Sequence, residues 1–234
     1  MLETKIVEDI RYKKYLYAVY KAMKMIGEKY PVVITKKDEN DSNQIEINER
    51  NYIIYLSYVL GYLQGKSGNK MFKDDYFING ELYKSIDILS NERSRDAHRA
   101  LMQFKLREKR KKHFVNEKQY INIRPDFVIH ISHTPSNCHL GQKLIVESKT
   151  TSKLDVIDFC WDFLKLNLYI DELHFNNALY LIINQNKETI EEMIDVFYKE
   201  IKYDKLNLSK IWFYAQNWDG AKMNDIKIYQ IANN

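Results

Sequence analysis

Cysteine, proline and glycine are scarce in this chain, which contains two, three and seven of them among 234 residues. Cys138 and Cys160 lie in differently patterned segments, so the sequence offers no disulfide framework, and a reducing compartment is expected. No apolar run is long enough to span a bilayer, and the first residues carry no apolar core of the signal-peptide type. We therefore expect a cytoplasmic protein without a membrane partner.

A large excess of one charge is also missing. The 36 basic and 32 acidic side chains leave a net charge of +4. This balance permits nucleic-acid binding without requiring it, so the location of the basic residues matters more than their sum. The chain is long enough to bury a core as one domain, or as one domain with a subdomain.

Hydrophobic periodicity divides the chain into helices and strands. Helices are predicted at 8–30, 48–64, 75–89, 94–109, 156–173 and 188–202, and strands at 114–123, 126–131, 143–149, 177–183, 210–214 and 226–231. A strand-helix-strand crossover implies parallel pairing in a mixed sheet with helices on its faces. The predicted fold class is therefore α/β, with a mixed central sheet flanked by helices and an α-helical N-terminal region at 1–90.

Two of the predicted strands carry charged residues at one end. Pro125 and Asp126 precede one apolar run, and a second apolar run ends in Glu147, Ser148 and Lys149. Because side chains alternate along a strand, Glu147 and Lys149 are expected on one face and Ser148 on the other. If the two strands are neighbours, Asp126 lies beside Glu147. Charges at the end of buried strands are costly unless they are paired or bound to a metal, which favours a functional site.

This arrangement resembles the PD-(D/E)xK nuclease superfamily, whose motif is an aspartate, a spacer and then Glu-x-Lys. The order of predicted elements from residue 94 adds to the resemblance: helix, three strands, helix, strand, helix, strand, strand. The resemblance implies a restriction-endonuclease-like core at 91–234. The region at 1–90 has no counterpart in the superfamily.

The resemblance also implies an activity, the Mg²⁺-dependent hydrolysis of DNA phosphodiester bonds, with Mn²⁺ as a substitute metal. Asp126 and Glu147 would hold the metal together with the backbone carbonyl of Ser148, since Mg²⁺ prefers oxygen ligands. Lys149 would orient or deprotonate the attacking water, or stabilise developing negative charge, and the sequence does not separate these roles. A function in restriction, phage defence or repair follows from the resemblance alone.

Three further residues are predicted to contribute to the site, two from the resemblance to the RecB-like branch of the superfamily and one from its position in the sequence. That branch has a histidine metal ligand on the helix before the core, and the segment 95–101 is similar to that helix, which implies His98 as a ligand. The branch also carries Gln-x3-Tyr after the lysine. Here Lys165-x3-Tyr169 retains only the tyrosine, so Tyr169 is expected to be a supporting residue. Glu117, on the first predicted core strand, is a second supporting residue.

Basic residues cluster just before the predicted core, where duplex phosphates would pass: Lys105, Arg107, Lys109, Arg110, Lys111 and Lys112. Lysine and arginine there would give an affinity for DNA that is salt-sensitive and independent of base sequence. The other interpretation is a solvated helix end, where basic side chains suit the helix dipole. DNA is the expected partner. A symmetric homodimer would suit cleavage of both strands, although no residue demands it.

Two other functions are compatible with the sequence. A non-catalytic module that binds nucleic acid or protein would keep the nuclease fold, but it has no need of the intact carboxylate and lysine set. A zinc-stabilised interaction protein would use His130, His133, Cys138 and His139, although their spacing matches no standard zinc finger.

Overall fold

The computed structural model of the chain describes residues 1–29, 34–37, 45–65, 76–80, 84–87, 92–108, 120–131, 141–151, 153–201, 208–217 and 225–232. The helices in these ranges are α1 (Val7–Arg11), α2 (Lys14–Lys29), α3 (Glu49–Gly65), α4 (Glu92–Glu108), α5 (Val156–Asp171) and α6 (Lys187–Ile201). The strands are β1 (Leu2–Lys5), β2 (Ile34–Lys37), β3 (Ile45–Ile47), β4 (Tyr76–Gly80), β5 (Lys84–Asp87), β6 (Tyr120–Ile123), β7 (Phe127–Ile131), β8 (Gln142–Lys149), β9 (Asn177–Ile183), β10 (Ile211–Gln216) and β11 (Lys227–Ile231). Within these ranges, none of the helices is both long and apolar enough to cross a membrane.

Seven strands form one mixed sheet in the order β1-β11-β10-β9-β8-β7-β4. The three strands β8, β9 and β10 run parallel, and the remaining pairs in this sheet are antiparallel. Helices α5 and α6 make the crossovers between the parallel strands, as parallel pairing requires. The predicted α/β fold with a mixed central sheet flanked by helices is confirmed.

Helices cover both faces of the sheet, and strand alternation explains which residues each face receives. Val128 and Ile145 pack with Phe163 in a core under α4, α5 and α6. Phe127 and Val146, their neighbours along the strands, pack in a second core under α1, α2 and α3. Strands β8 and β9 are therefore apolar on both faces, which is typical of strands in the middle of such a sheet.

The described part of the first ninety residues contributes strands β1 and β4 to the seven-stranded sheet and helices α1, α2 and α3 to the core on one of its faces. Strand β1 pairs with β11, with Leu2 opposite Ile231, and β4 pairs with β7. The Tyr214 hydroxyl of β10 donates a hydrogen bond to the carbonyl of Leu16 in α2, over 3.0 Å. Strands from both sides of the predicted boundary between residues 90 and 91 thus share one sheet, and the described part of the region before it contains strands as well as helices.

The helix predicted at 75–89 is wrong, because its described residues form β4 and β5. Tyr76, Phe77 and Ile78 are aromatic or β-branched residues that favour strands, and β4 finds a main-chain partner in β7. Strand β6 pairs with β5 in a separate two-stranded sheet. The strand beside β7 thus precedes α4 in the chain, whereas the resemblance implied one that follows it. Residues 114–119 of that predicted strand lie outside the described residues.

Candidate active site

Asp126, Glu147 and Lys149 lie at one end of the sheet, where β7 begins and β8 ends. Phe127 pairs with Val146, and continuing this antiparallel register by one residue sets Asp126 opposite Glu147. The Asp126 N–H donates to the Val146 carbonyl over 3.2 Å. Glu147 and Lys149 share one face, and both contact side chains of α5. The two strands therefore bring two carboxylates and one amine together.

Ser148 holds the Asp126 carboxylate in place. Its backbone N–H and its hydroxyl both donate to Oδ2 of Asp126, over 2.6 and 2.7 Å. The other oxygen, Oδ1, accepts no hydrogen bond from any residue in the described ranges. Burial raises the pKa of the Asp126 carboxyl, although the two bonds from Ser148 oppose this. Ser148 thus orients Asp126, while the use of its carbonyl as a metal ligand stays a prediction.

A continuous chain of ion pairs joins β8 to α5. Lys149 Nζ lies 3.0 Å from Asp162 Oδ2, and Asp162 Oδ1 lies 2.8 Å from Lys165 Nζ. Lys165 in turn lies 2.9 Å from Glu147 Oε2. The Glu147 side chain is 3% exposed, so burial raises the pKa of its carboxyl well above the usual range. Lys149 therefore links β8 to α5, and Lys165 links Asp162 of the same helix back to Glu147 of β8. The series of ion pairs begins and ends on β8.

Two buried tyrosine hydroxyls donate hydrogen bonds to the carboxylates of these ion pairs. Tyr169, predicted as a supporting residue, donates to Glu147 Oε1 over 3.4 Å. Tyr180 of β9 donates to Asp162 Oδ2 over 3.3 Å. Both distances are long for an O–H donor, so these bonds are weak. Burial raises the pKa of both phenols, and the tyrosines act as neutral donors at this site.

Helical spacing explains why α5 supplies three of these groups. Asp162, Lys165 and Tyr169 occupy positions i, i+3 and i+7, which lie on one face of a helix. The Asp155 side chain caps the helix by accepting from the N–H groups of Ile157 and Asp158. Asp162 and Lys165 were not among the predicted site residues. A polar stripe within an otherwise apolar helix was the signal that would have identified them.

Glu49 contacts Lys149 from α3, which packs on the face of the sheet opposite α5. It is the first residue of α3, and its Oε1 lies 3.8 Å from Lys149 Nζ. Burial raises the pKa of Glu49 from 4.5 to about 7. No pattern in the sequence connects Glu49 with β8, because the contact depends on how α3 packs on the sheet.

These groups form a charge cluster that contains more acids than bases. Its members are Asp126, Glu147, Lys149, Asp162, Lys165 and Glu49. With every group ionised, four carboxylates and two ammonium groups leave a charge of −2. Uncompensated negative charge in a buried site raises carboxyl pKa values, and it favours a bound cation.

The donor set suits a weakly pre-formed Mg²⁺ site. Among the described residues, no group of three or more His, Cys, Asp or Glu side chains is arranged to hold a metal ion. Mg²⁺ keeps several waters, however, and often takes only one or two protein carboxylates. Within the described residues, Oδ1 of Asp126 and Oε1 of Glu147 form no ion pair. With every carboxyl ionised, the excess charge of −2 matches one divalent cation. The residues present therefore fit the metal that the resemblance implies.

His98 lies to one side of the charge cluster. It is half-buried on α4, and its ring centroid lies 5.9 Å from that of Trp161 on α5. Trp161 precedes Asp162, and successive helix residues point about 100° apart. The structure thus places His98 against the flank of α5, and metal ligation by His98 stays a prediction.

The predicted DNA-binding run is described only in part. Lys105 and Arg107 are on the last turn of α4, and Arg107 forms an ion pair with Glu200 of α6. The following predicted residues lie outside the described ranges: Lys109, Arg110, Lys111, Lys112 and Glu117. The same holds for His133, Cys138 and His139 of the zinc alternative.

The raised pKa of the partly exposed Glu49 carboxyl predicts a pH dependence of stability. A raised pKa in the folded state means that folding favours the protonated acid, so the wild type loses stability as pH rises from 4.5 towards about 7. Glu49→Gln removes this loss. We expect its stability relative to wild type to grow across that interval and then level off. Urea unfolding of both proteins in EDTA across this pH range measures it, and a difference that is constant with pH would contradict it.

Comparison of the chain with family models, with curated proteins and with solved structures finds no match. The resemblance to PD-(D/E)xK nucleases therefore depends on the motif residues and on the order of the elements.

Proposed function

We propose that this chain is a metal-dependent nuclease that hydrolyses phosphodiester bonds of DNA, in restriction, phage defence or repair. One observation carries the proposal: Asp126, Glu147 and Lys149 converge at the end of β8, in a cluster where carboxylates outnumber ammonium groups. A buried excess of negative charge destabilises a fold unless something binds there. Metal-dependent phosphodiester cleavage uses carboxylates that hold the metal and a positively charged side chain close to it, and this cluster contains both kinds of group.

Asp126 and Glu147 would hold Mg²⁺, or Mn²⁺ in its place. When bound, the metal supplies charge neutralisation at the phosphate and an acidified water. Ser148 fixes Asp126 through two hydrogen bonds to one oxygen, which leaves the other oxygen available. Tyr169 lies beside the Glu147 oxygen that carries no ion pair. The protein therefore contributes one preoriented and one deeply buried carboxylate.

Lys149 acts in this proposal as a charged donor to the phosphate. Burial alone would lower the pKa of its ammonium group, but the carboxylates of Asp162 and Glu49 outweigh burial and raise it. A lysine that stays charged stabilises negative charge as it develops and is a poor acceptor for a proton from water. Its side chain keeps 22% exposure, so the amine is within reach of a substrate.

A plasmid-nicking assay tests the proposal. We expect the wild type to nick DNA in Mg²⁺ or Mn²⁺ and to lose this activity in EDTA. Glu147→Gln keeps the size of the side chain and removes its charge, so cleavage is expected to fall by about 10²–10³-fold. The matched control is Glu192→Gln on the exposed face of α6, with unchanged cleavage expected. Equal activity of the wild type and Glu147→Gln, or none on DNA or RNA, refutes the proposal.

A non-catalytic binding module is the second candidate, and Lys165 is the observation in its favour. Its amine lies 2.9 Å from Glu147 and 2.8 Å from Asp162, so the protein supplies part of the countercharge itself. A module of this kind binds DNA equally in Mg²⁺ and in EDTA and leaves the plasmid intact. Binding and nicking measured on the same samples therefore separate the two candidates.

A further inference from the structure

Asp162 occupies the centre of the charge cluster, although neither the motif nor the proposed metal site uses it. Its two carboxylate oxygens are divided between two lysines, with Oδ1 at 2.8 Å from Lys165 and Oδ2 at 3.0 Å from Lys149. Tyr180 donates to Oδ2 as well. The side chain is 5% exposed, so these protein groups take the place of water around it.

Packing does not explain a carboxylate at this position. Leu164 and Phe163 next to it are fully buried apolar residues, and an apolar side chain at 162 would avoid the desolvation of a charge. A buried ion pair is commonly no more stable than a well-packed apolar replacement. What the carboxylate provides and an apolar residue does not is a fixed location for the amines that it contacts.

Lys149 is the amine for which that location matters. It stands at the end of β8, between α5 on one face of the sheet and α3 on the other. Asp162 offers a carboxylate at 3.0 Å on the α5 side, and Glu49 offers one at 3.8 Å on the α3 side. A lysine stem has several rotatable bonds, so its amine follows whichever carboxylate binds it better. Asp162 keeps the amine on the face that also carries Glu147.

We propose that Asp162 is a positioning residue for the cleavage reaction, and that its carboxylate holds the Lys149 amine on the α5 face, where the scissile phosphate binds. This inference rests on the proposed nuclease function. It assigns Asp162 no contact with the substrate or the metal. Its effect passes through Lys149, and Glu49 is the competing partner when Asp162 is neutralised.

The test is Asp162→Asn, compared with Asp195→Asn on the exposed face of α6. An amide lacks the charge that attracts the amine, so Lys149 is expected to turn towards Glu49. Misplacement by about 1 Å costs up to about 10²-fold in rate, so kcat is expected to fall 10- to 100-fold, with KM changed less than about two-fold. A crystal structure of the variant shows where Lys149 Nζ lies. Asp195→Asn is expected to match the wild type in both measurements.

The outcomes separate the two proposals. A lowered kcat with Lys149 displaced supports the positioning role. An unchanged kcat, or a lowered kcat with Lys149 still in place, overturns it and leaves the nuclease proposal standing. A wild type that is inert on every nucleic acid overturns both. If Asp162→Asn does not fold, Asp162→Glu keeps the charge and shifts the carboxylate by one methylene, and the same readings of kcat and of the Lys149 position apply.

Discussion

Replacing Lys165 by methionine is expected to lower the free energy of unfolding by about 3–5 kcal/mol near pH 8, because it leaves the buried Glu147 carboxylate without its counter-ion and removes one of the two lysines that pair with Asp162. Lys165 is 9% exposed and contacts both Glu147 and Asp162. Methionine fills similar space with a flexible apolar chain, so the change isolates the charge. Urea unfolding in EDTA, monitored by circular dichroism, measures the loss.

The loss is expected to shrink towards pH 5. Burial already raises the pKa of Glu147, and removing Lys165 raises it further, so the folded variant takes up a proton as pH falls and the uncompensated charge disappears. Lys199→Met on the exposed side of α6 is the matched control, with a change within about 0.5 kcal/mol. A loss below about 1 kcal/mol near pH 8 would show that Lys165 is not the main counter-ion of the charge cluster.

Replacing Lys149 by methionine is expected to have the opposite profile, a large loss of cleavage with a small loss of stability. Removing one donor that stabilises developing charge lowers kcat by about 10²–10³-fold. Asp162 keeps Lys165 and Tyr180 as partners, so its carboxylate is not stranded. The nicking rate in Mg²⁺ and urea unfolding, measured on the same preparation, test both parts.

Lys149→Arg provides the comparison for geometry. It keeps a positive charge but replaces a compact ammonium by a planar guanidinium, which is not equivalent at a shaped site. We expect its cleavage to lie between those of the wild type and of Lys149→Met. If Lys149→Met cleaves DNA as well as the wild type does, Lys149 has no part in the chemistry, whatever its position in the fold.

The sequence predicted the middle of the sheet well, because that region is specified locally. Strands β8 and β9 are rich in Val, Ile and Leu and are buried on both faces, β7 begins with three buried apolar residues, and the helices between the parallel strands have clear apolar stripes. The same alternation predicted that Glu147 and Lys149 share a face, since a period of two residues leaves no other choice.

The edges of the sheet were not predictable in this way. Strand β1 was not recognised, and β4 was taken for part of a helix. Both are four or five residues long, and what makes them strands is pairing with β11 and β7, which lie far away in the chain. Intrinsic preference is weak over so few residues, and tertiary contacts decide the outcome.

The residues of the charge cluster also differ in how far the sequence predicts their positions. Asp162 and Lys165 were accessible to sequence reasoning, because their spacing with Tyr169 sets them on one face of α5. Glu49 was not, because it comes from a helix on the other layer and meets Lys149 only through the packing of α3 on the sheet.

The pairing of β1 with β11 ties folding to the order of synthesis. Leu2 is translated well before Ile231, and the two residues can pair only after all the residues between them have been made. At about 5–20 residues per second, β1 waits on the order of ten seconds or more for its neighbour. A ribosome-bound chain that stops before Lys227 therefore leaves β1 and the free side of β10 without this partner, and limited proteolysis of such stalled chains should cut near Leu2 until β11 emerges.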